Sequence, residues 1–156
     1  MADLQPGDMA PDVTLETPDG GTLSLASLRG KPVVLYFYPK DDTSGCTREA
    51  LDFSERKAAF EMVGTSVIGV SKNSAAQHRK FATKHALTVS LATDADGSVC
   101  EAFGTWGEKI LYGRKYMGIE RATFLIDAEG RIAKAWRKVK VPGHVEAVLA
   151  AAEALA

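Results

Sequence analysis

The chain has 156 residues, of which 46% are hydrophobic and 25% are charged, and its formal net charge is -1. This length fits one domain over residues 1–156 with a sizeable core. No lysine–arginine block is present, so neither nucleic acid nor an anionic membrane is expected as a partner. No apolar run is long enough to span a bilayer, and the N-terminal segment has no secretory-signal pattern, which predicts a cytoplasmic protein. Two cysteines without zinc spacing predict neither a disulfide framework nor a metal or cofactor site.

The first predicted elements are a hairpin, a strand and a helix. VTLE (13–16) and TLSL (22–25) flank the turn-forming TPDGG and predict an N-terminal β-hairpin. The β-branched and aromatic run PVVLYFY (32–38) predicts a central strand buried on both faces. Residues 46–63 repeat apolar side chains at spacings of three, four and seven, which predicts one amphipathic helix.

The second half continues the alternation of strands and helices. The predicted elements are strands at 65–71 and 90–94, helices at 73–87, 97–104 and 144–156, and a hairpin of 121–127 with 131–139. This order predicts an α/β sandwich with a mixed central β-sheet flanked by helices. Residues 105–120 show no clear element. A loop this long in a compact domain is often functional, and the alternative is a packed surface loop that carries Trp106 and Tyr112.

Cys46 falls at a strand-to-helix turn, because the strand ends near Pro39 and the helix begins near Thr43 or Ser44. In open α/β sheets this is the edge at which ligands bind. The unpaired N–H groups of a helix N-terminus favour a thiolate, which is the reactive form. Gly45 allows close approach of a small substrate, and Thr43 can cap the helix. The alternative is a buried cysteine that only packs, with Thr43 as a simple N-cap.

The segment FYPKDDTSGCTREA resembles the active-site segment of peroxiredoxins, specifically of the bacterioferritin comigratory protein (Bcp) or PrxQ subfamily. The family pattern Pro-x-x-x-Thr-x-x-Cys is met by Pro39, Thr43 and Cys46. The segment YMGIERATFLIDAEGRIAKAWRKVKVPGH is similar to the C-terminal region of the subfamily, in which an arginine begins a strand, and Arg121 matches it. The resemblance covers nearly the whole chain. It implies a thioredoxin-like fold and thiol-dependent reduction of hydrogen peroxide and alkyl hydroperoxides.

The resemblance also implies a role for each matched residue. The Cys46 thiolate would attack the terminal peroxide oxygen, become a sulfenic acid and release water or alcohol. Arg121 would stabilise the thiolate and hold the peroxide, while the alternative for it is a surface salt bridge. Thr43 would hydrogen-bond the peroxide, and backbone N–H groups near Gly45 and Cys46 would stabilise the departing oxygen. Pro39 would shield the sulfur.

The sulfenic acid needs a second thiol to reset it. Two-cysteine members of the subfamily carry this resolving thiol at positions that are Leu51 or Ala82 here, and Ser44 stands where the subfamily commonly has proline. Cys100 is the only other thiol. It is either a small core residue or an unusual resolving cysteine for Cys46. The second role requires the two Cα atoms to come within about 7 Å, and local unwinding is one route to this. Otherwise thioredoxin, glutaredoxin or glutathione would act as an external reductant.

Other functions fit the sequence less well. A thioredoxin-like disulfide reductase usually needs Cys-x-x-Cys, and TSGCTRE has no second cysteine. A non-enzymatic redox sensor or binding domain on the same fold is the alternative function. The subfamily resemblance favours a monomer. The three scattered histidines, His78, His85 and His144, are predicted to be surface or structural residues.

Overall fold

The computed structural model describes residues 4–156, apart from the side chain of Leu111. Residues 1–3, which begin the segment without a predicted secretory signal, lie outside the described residues. The strands are β1 (Thr14–Glu16), β2 (Thr22–Ser24), β3 (Val33–Phe37), β4 (Ser66–Ser71), β5 (Ser90–Thr93), β6 (Trp106–Leu111), β7 (Arg114–Ile119), β8 (Ala122–Ile126) and β9 (Ile132–Trp136). The helices are α1 (Ser44–Glu55), α2 (Lys57–Met62), α3 (Ala75–His85), α4 (Ser98–Ala102) and α5 (His144–Leu155), with a 3-10 helix at Leu25–Leu28.

Seven of the strands form one mixed sheet in the order β2-β1-β5-β4-β3-β8-β9. β3 is parallel to β4 and antiparallel to β8, and all five of its residues are buried. The predicted central strand is therefore confirmed, because only a strand covered on both faces can be apolar at every position. The predicted hairpins are also confirmed as β1 with β2 and β8 with β9.

The two faces of this sheet carry separate hydrophobic clusters. Val33, Leu35 and Phe37 pack with Cys100, whereas Val34 and Tyr36, in the same strand, pack in the cluster that contains Cys46. This division follows from the two-residue period of a strand. We call the two sides the Cys46 face and the Cys100 face.

The helix predicted over residues 46–63 is wrong as a single element. The chain leaves helical geometry at Arg56 (φ -106°, ψ 10°), which separates α1 from α2. Phe53 and Phe60, on either side of the break, are both buried on the Cys46 face. Because the apolar spacing continues across Arg56, periodicity could not reveal the interruption.

The prediction of no clear element in residues 105–120 is also wrong. β6 and β7 form a two-stranded antiparallel sheet of their own, with Trp106 opposite Ile119. Tyr112 (φ 51°) and Gly113 (φ 75°) make the turn, and two positive φ values are typical of a tight hairpin turn. Tyr112 is 95% exposed, so it is not the residue of a packed loop. Most side chains of β7 are exposed, so no alternation of buried and exposed positions marks the hairpin.

The remaining helices follow local signals. α3 begins with a capping box, in which the Ser74 side chain accepts from the Gln77 backbone and the Gln77 side chain accepts from the Ser74 backbone. Ser74 is therefore the N-cap of the helix that was predicted over residues 73–87. In the part of the chain that the structure describes, no helix is both long and apolar enough to cross a membrane.

Candidate active site

Cys46 is the third residue of α1, at the edge of the sheet where the parallel strands β3 and β4 end. Its side chain is only 1% exposed and packs on the Cys46 face. Thr43 is the N-cap residue, as predicted, but its hydroxyl donates to the Lys40 carbonyl (3.1 Å) and does not cap the helix. Within residues 4–156 no side chain caps α1, so the N–H groups of Gly45 and Cys46 keep their partial positive charge available for an anion.

Arg121 lies directly against the sulfur. It stands between β7 and β8, and its Nη2 donates to Sγ of Cys46 at 3.2 Å. Burial opposes the charge, but the Glu49 and Cys46 charges raise the pKa of Arg121, so the guanidinium stays cationic. A cation at this distance stabilises negative charge on sulfur. Gly45 makes the approach possible, because an added Cβ there would lie 3.2 Å from the same Nη2.

Glu49 is a site residue that the sequence analysis missed. It is fully buried, and its Oε1 accepts from Arg121 Nη1 at 2.7 Å. Burial raises the pKa of Glu49 to about 7, although the Arg121 charge opposes the shift. Glu49 follows Cys46 by three positions, and residues three apart share a helix face. That spacing was the available signal, and it places the carboxyl group where it holds the guanidinium on the sulfur.

The loop between β3 and α1 is tied to α3 through Asp41. The buried carboxylate of Asp41 accepts from the Tyr38 hydroxyl (2.6 Å) and lies 2.7 Å from Nδ1 of His78. The Asp41 backbone N–H donates to Oδ1 of Asn73 (2.9 Å). Pro39 lies half-buried in this anchored loop. The buried His78 thus confirms the prediction of a structural histidine, and the contacts fix the loop that leads to the helix.

Asp42, the next residue, reinforces this attachment. Its φ of 64° lies in the left-handed region, which costs an ordinary residue about 1 kcal/mol or more. Its carboxylate accepts from Nζ of Lys84 (2.6 Å) and lies 2.7 Å from Nε2 of His85, both in the last turn of α3. The turn before Cys46 is therefore held in a strained conformation by contacts with one neighbouring helix.

A model of the AhpC/TSA family matches residues 6–135. The chain belongs to this family. It is 49% identical over 146 residues to a putative peroxiredoxin Bcp of Coxiella burnetii, covering 94% of this chain and 97% of the relative. It is 48% identical over 146 residues to peroxiredoxin Bcp of Bacillus subtilis, covering 94% and 93%. The predicted resemblance to peroxiredoxins of the Bcp or PrxQ subfamily is confirmed.

Solved structures agree with this assignment. A structure of the bacterioferritin comigratory protein of Xanthomonas campestris is 42% identical, has a TM-score of 0.88 and covers 99% of this chain and 98% of its own. A PrxQ structure from Xylella fastidiosa is 38% identical, with a TM-score of 0.92 and coverage of 99% and 98%. The thioredoxin-like fold is therefore confirmed, and the chain is a peroxiredoxin, a thiol peroxidase.

The second thiol of this peroxiredoxin, Cys100, lies in a different environment. It is fully buried on the Cys100 face, so the sheet separates it from Cys46. Its backbone N–H donates to Oδ2 of Asp94 (2.7 Å), and the Val99 N–H donates to Oδ1 (3.1 Å). Burial and then the Asp94 carboxylate raise the pKa of the Cys100 thiol. This packing favours the interpretation of Cys100 as a core residue.

The two positions named above for a second thiol hold aliphatic residues. The half-buried Leu51 and Ala82 occupy the usual resolving positions on α1 and α3. Within residues 4–156 no group of three or more His, Cys, Asp and Glu side chains is arranged to hold a metal ion.

Proposed function

We propose that this peroxiredoxin reduces hydrogen peroxide and alkyl hydroperoxides through a sulfenic acid on Cys46, and that an external thiol recycles it. The observation that carries the proposal is the 3.2 Å contact between Arg121 Nη2 and Cys46 Sγ at an uncapped helix N-terminus. The structure of the Xanthomonas campestris relative was described for its alkyl peroxide reduction activity, which supports the same substrate class here.

The oxidation step moves two electrons from sulfur to the peroxide. The Cys46 thiolate attacks the terminal oxygen, so that an S–O bond forms while the O–O bond breaks. The departing oxygen takes up one proton and leaves as water or alcohol. The forked donors of Arg121 hold the peroxide and its charge, and the N–H groups of Gly45 and Cys46 face the developing anion.

Two further residues are assigned supporting roles. The Thr43 hydroxyl donates to the Lys40 carbonyl in the resting enzyme and is proposed to turn towards the bound peroxide. Pro39 lies half-buried in the loop before α1, and we assign it the shielding of the sulfur from water. The roles of Thr43 and Pro39 are supported by their positions in the loop before α1 and by their match to the family motif.

The reset step is assigned to an external thiol. Cys100 is buried on the other face of the sheet and its pKa is raised, so it is a poor nucleophile for a Cys46 sulfenic acid. An external thiolate would attack the oxidised sulfur and displace hydroxide, which takes up a proton and leaves as water. A second thiol would then cleave the mixed disulfide, which returns the Cys46 thiolate and joins the two reductant thiols in a disulfide. Because Cys46 is almost fully buried, the first turn of α1 has to open during this exchange.

Thioredoxin, glutaredoxin and glutathione are the proposed reductants. One domain over residues 1–156, a monomeric state and a cytoplasmic location stay predictions. The choice between a protein dithiol and a small thiol is open to a direct comparison of turnover with each of the three.

The function is tested by consumption of hydrogen peroxide and of an alkyl hydroperoxide with dithiothreitol as reductant. We expect turnover in the natural protein and in Cys100→Ala, and no detectable turnover in Cys46→Ser. Circular dichroism checks that both variants fold. Undiminished consumption by folded Cys46→Ser would contradict the proposal, as would a natural protein that consumes neither peroxide.

A further inference from the structure

The Glu49 carboxyl group has one oxygen that no contact explains. Oε1 accepts from Arg121, whereas the buried Oε2 has no hydrogen-bond partner among the described residues. A buried carboxyl oxygen without a partner is costly, so its surroundings decide how the group ionises. The side chain that approaches it is His144, whose Nε2 lies 4.0 Å from Oε2.

The position of His144 is fixed from several sides. It is the first residue of α5, directly after Gly143, which has a φ of 76°. Its Nε2 lies 2.8 Å from the Thr123 hydroxyl oxygen on β8. The rings of Phe53 and Trp136 meet the imidazole edge-on, with interplanar angles of 89° and 84°. The imidazole is therefore held with its Nε2 edge towards Oε2 of Glu49.

We propose that His144 is a positioning residue for the reaction at Cys46, because the dipole of its Nε2 edge acts on the ionisation of the Glu49 carboxyl group that holds Arg121 on the sulfur. The connection runs from Nε2 to Oε2, from Oε1 to Nη1, and from Nη2 to Sγ. It couples the start of α5 to the start of α1. This inference rests on the proposed peroxidase function and adds a residue from the C-terminal helix to it.

An imidazole suits this place because a neutral ring offers both a donor and an acceptor. Nε2 is hydrogen-bonded to the Thr123 hydroxyl (2.8 Å) and makes no hydrogen bond to Oε2 at 4.0 Å, so the ring acts on Glu49 through its dipole. An N–H on Nε2 stabilises an ionised Glu49, and a lone pair there stabilises a protonated Glu49. Burial, followed by the Arg121 charge, lowers the pKa of His144 to about 4, so the ring is neutral at neutral pH. Burial raises the pKa of Glu49 to about 7, so Glu49 is the member of the pair that changes charge near neutral pH.

The charged and titratable groups around this pair come from three elements and one loop. Those that interact with Glu49, His144 or the adjoining Arg121 are Tyr36 on β3, Asp52 and Cys46 on α1, Glu146 on α5, and Arg121 itself in the loop before β8. Arg121 is the only cation among these, and it favours an ionised Glu49. Since an ionised carboxylate makes the stronger, charge-assisted bond to a guanidinium, protonation of Glu49 loosens Arg121.

The test compares His144→Phe with His144→Gln. The phenyl ring leaves Oε2 facing an apolar surface, whereas the glutamine amide can place a donor near the position of Nε2. We expect the titration midpoint of Glu49, followed by carboxyl ¹³C NMR, to rise by about one pH unit in His144→Phe. We expect it to stay within about 0.3 unit in His144→Gln. Glu49→Gln identifies the signal.

The second readout is the rate at which Cys46 is oxidised by peroxide, measured by rapid mixing from pH 5 to 9. The rate should fall as pH drops through the Glu49 midpoint, and this acid limb should move upward in His144→Phe in step with the NMR midpoint. A purely structural role would lower the melting temperature and leave both midpoints unchanged. Such a result in a folded variant would overturn the proposal.

If His144→Phe does not fold, His144→Asn takes its place in the comparison with His144→Gln. His144→Asn keeps an amide but places it nearer the position of Nδ1, so its midpoint should rise while that of His144→Gln does not. Equal midpoints in these two variants would overturn the inference. If the natural protein oxidises at no pH, the peroxidase proposal fails instead, and the NMR midpoints still decide whether His144 controls Glu49.

Discussion

The two cysteines of this chain share a local position and are both buried, but they differ in the charged groups beside them. Each is the third residue of a helix that follows a parallel strand, Cys46 on α1 and Cys100 on α4. Each is almost completely buried, at 1% and 0% exposure. Position near a helix N-terminus therefore does not by itself distinguish a reactive thiol from a packed one.

The difference lies in what meets the helix start. At α4 the Asp94 carboxylate accepts the N–H groups of Val99 and Cys100, so an anion already occupies the end of the helix. At α1 no described side chain caps the helix, and the cation of Arg121 lies 3.2 Å from the sulfur. Open N–H groups and a neighbouring cation both favour a thiolate, whereas a bound carboxylate disfavours one.

The largest expected effect comes from removing the cation that sets Cys46 apart. Arg121→Gln should slow oxidation of Cys46 by peroxide about 100- to 1,000-fold, because the variant loses the charge and the fork beside the sulfur. Rapid-mixing fluorescence or competition kinetics measures this rate. Arg114→Gln, on the exposed part of β7, is the matched control and should react like the natural protein. A rate for Arg121→Gln equal to that control would show that helix position alone activates Cys46.

A smaller effect is expected from blocking the approach of the guanidinium. Gly45→Ala places a methyl group 3.2 Å from Arg121 Nη2, so the side chain has to shift. Oxidation of Cys46 should slow about 10-fold. Because Ala is the better helix former by about 1 kcal/mol, the free energy of unfolding should not fall. Peroxide kinetics and urea unfolding of the same sample check both values, and a rate that falls only with stability would refute the steric explanation.

The environment of Cys100 can be tested by changing Asp94, whose carboxylate accepts the N–H groups at the start of α4. Asp94→Asn replaces an ionised acceptor of two backbone N–H groups and should lower the free energy of unfolding by about 1–2 kcal/mol. It should also let iodoacetamide label Cys100 sooner, because burial and Asp94 raise the pKa of this thiol. Peptide mass spectrometry measures the labelling. Peroxidase turnover should not change, and a loss of turnover would mean that Cys100 takes part in the reaction.

The smallest expected effect is a pH dependence of stability on the Cys46 face. The raised pKa of Glu49 (about 7, against an ordinary 4.5) contributes to the free energy of unfolding. This contribution is complete below pH 4.5 and is lost as pH rises to about 7. The lowered pKa of His144 (about 4, against 6.5) gives a contribution that is complete above pH 6.5 and is lost as pH falls to about 4. The two opposing contributions partly cancel in the natural protein.

Variants separate these two contributions. Relative to the natural protein, Glu49→Gln should gain stability as pH rises from 4.5 to 7, and His144→Phe should gain stability as pH falls from 6.5 to 4. Urea unfolding at four or five pH values measures both differences. Parallel pH curves for the natural protein and either variant would show that the corresponding group does not titrate as described.

Sequence reasoning found the parts of the site that a motif carries. Cys46 and Arg121 were predicted to meet, and they do, because one lies at the end of β3 and the other at the start of β8, its neighbour in the sheet. Glu49 could have been found from its three-residue spacing to Cys46. His144 could not, because only the packing of α5 against α1 and β8 brings it to Glu49.

The two wrongly predicted elements, at residues 46–63 and 105–120, also depend on features that leave no local sequence pattern. The break at Arg56 leaves the apolar period of the helix intact, so no local pattern marks it. The β6–β7 hairpin pairs only with itself and exposes most of β7, so it has no buried face to create alternation. The separation of Cys46 from Cys100 depends on which side of the sheet α1 and α4 pack, which is a tertiary property.

The role of Cys46 as the single reacting thiol is tested most directly by identifying the product of one oxidation at Cys46. The reduced protein receives one equivalent of hydrogen peroxide and then dimedone, and non-reducing peptide mass spectrometry maps both cysteines. We expect a dimedone adduct on Cys46 and a free thiol at Cys100, because the sheet lies between them. An intramolecular Cys46–Cys100 disulfide would contradict it.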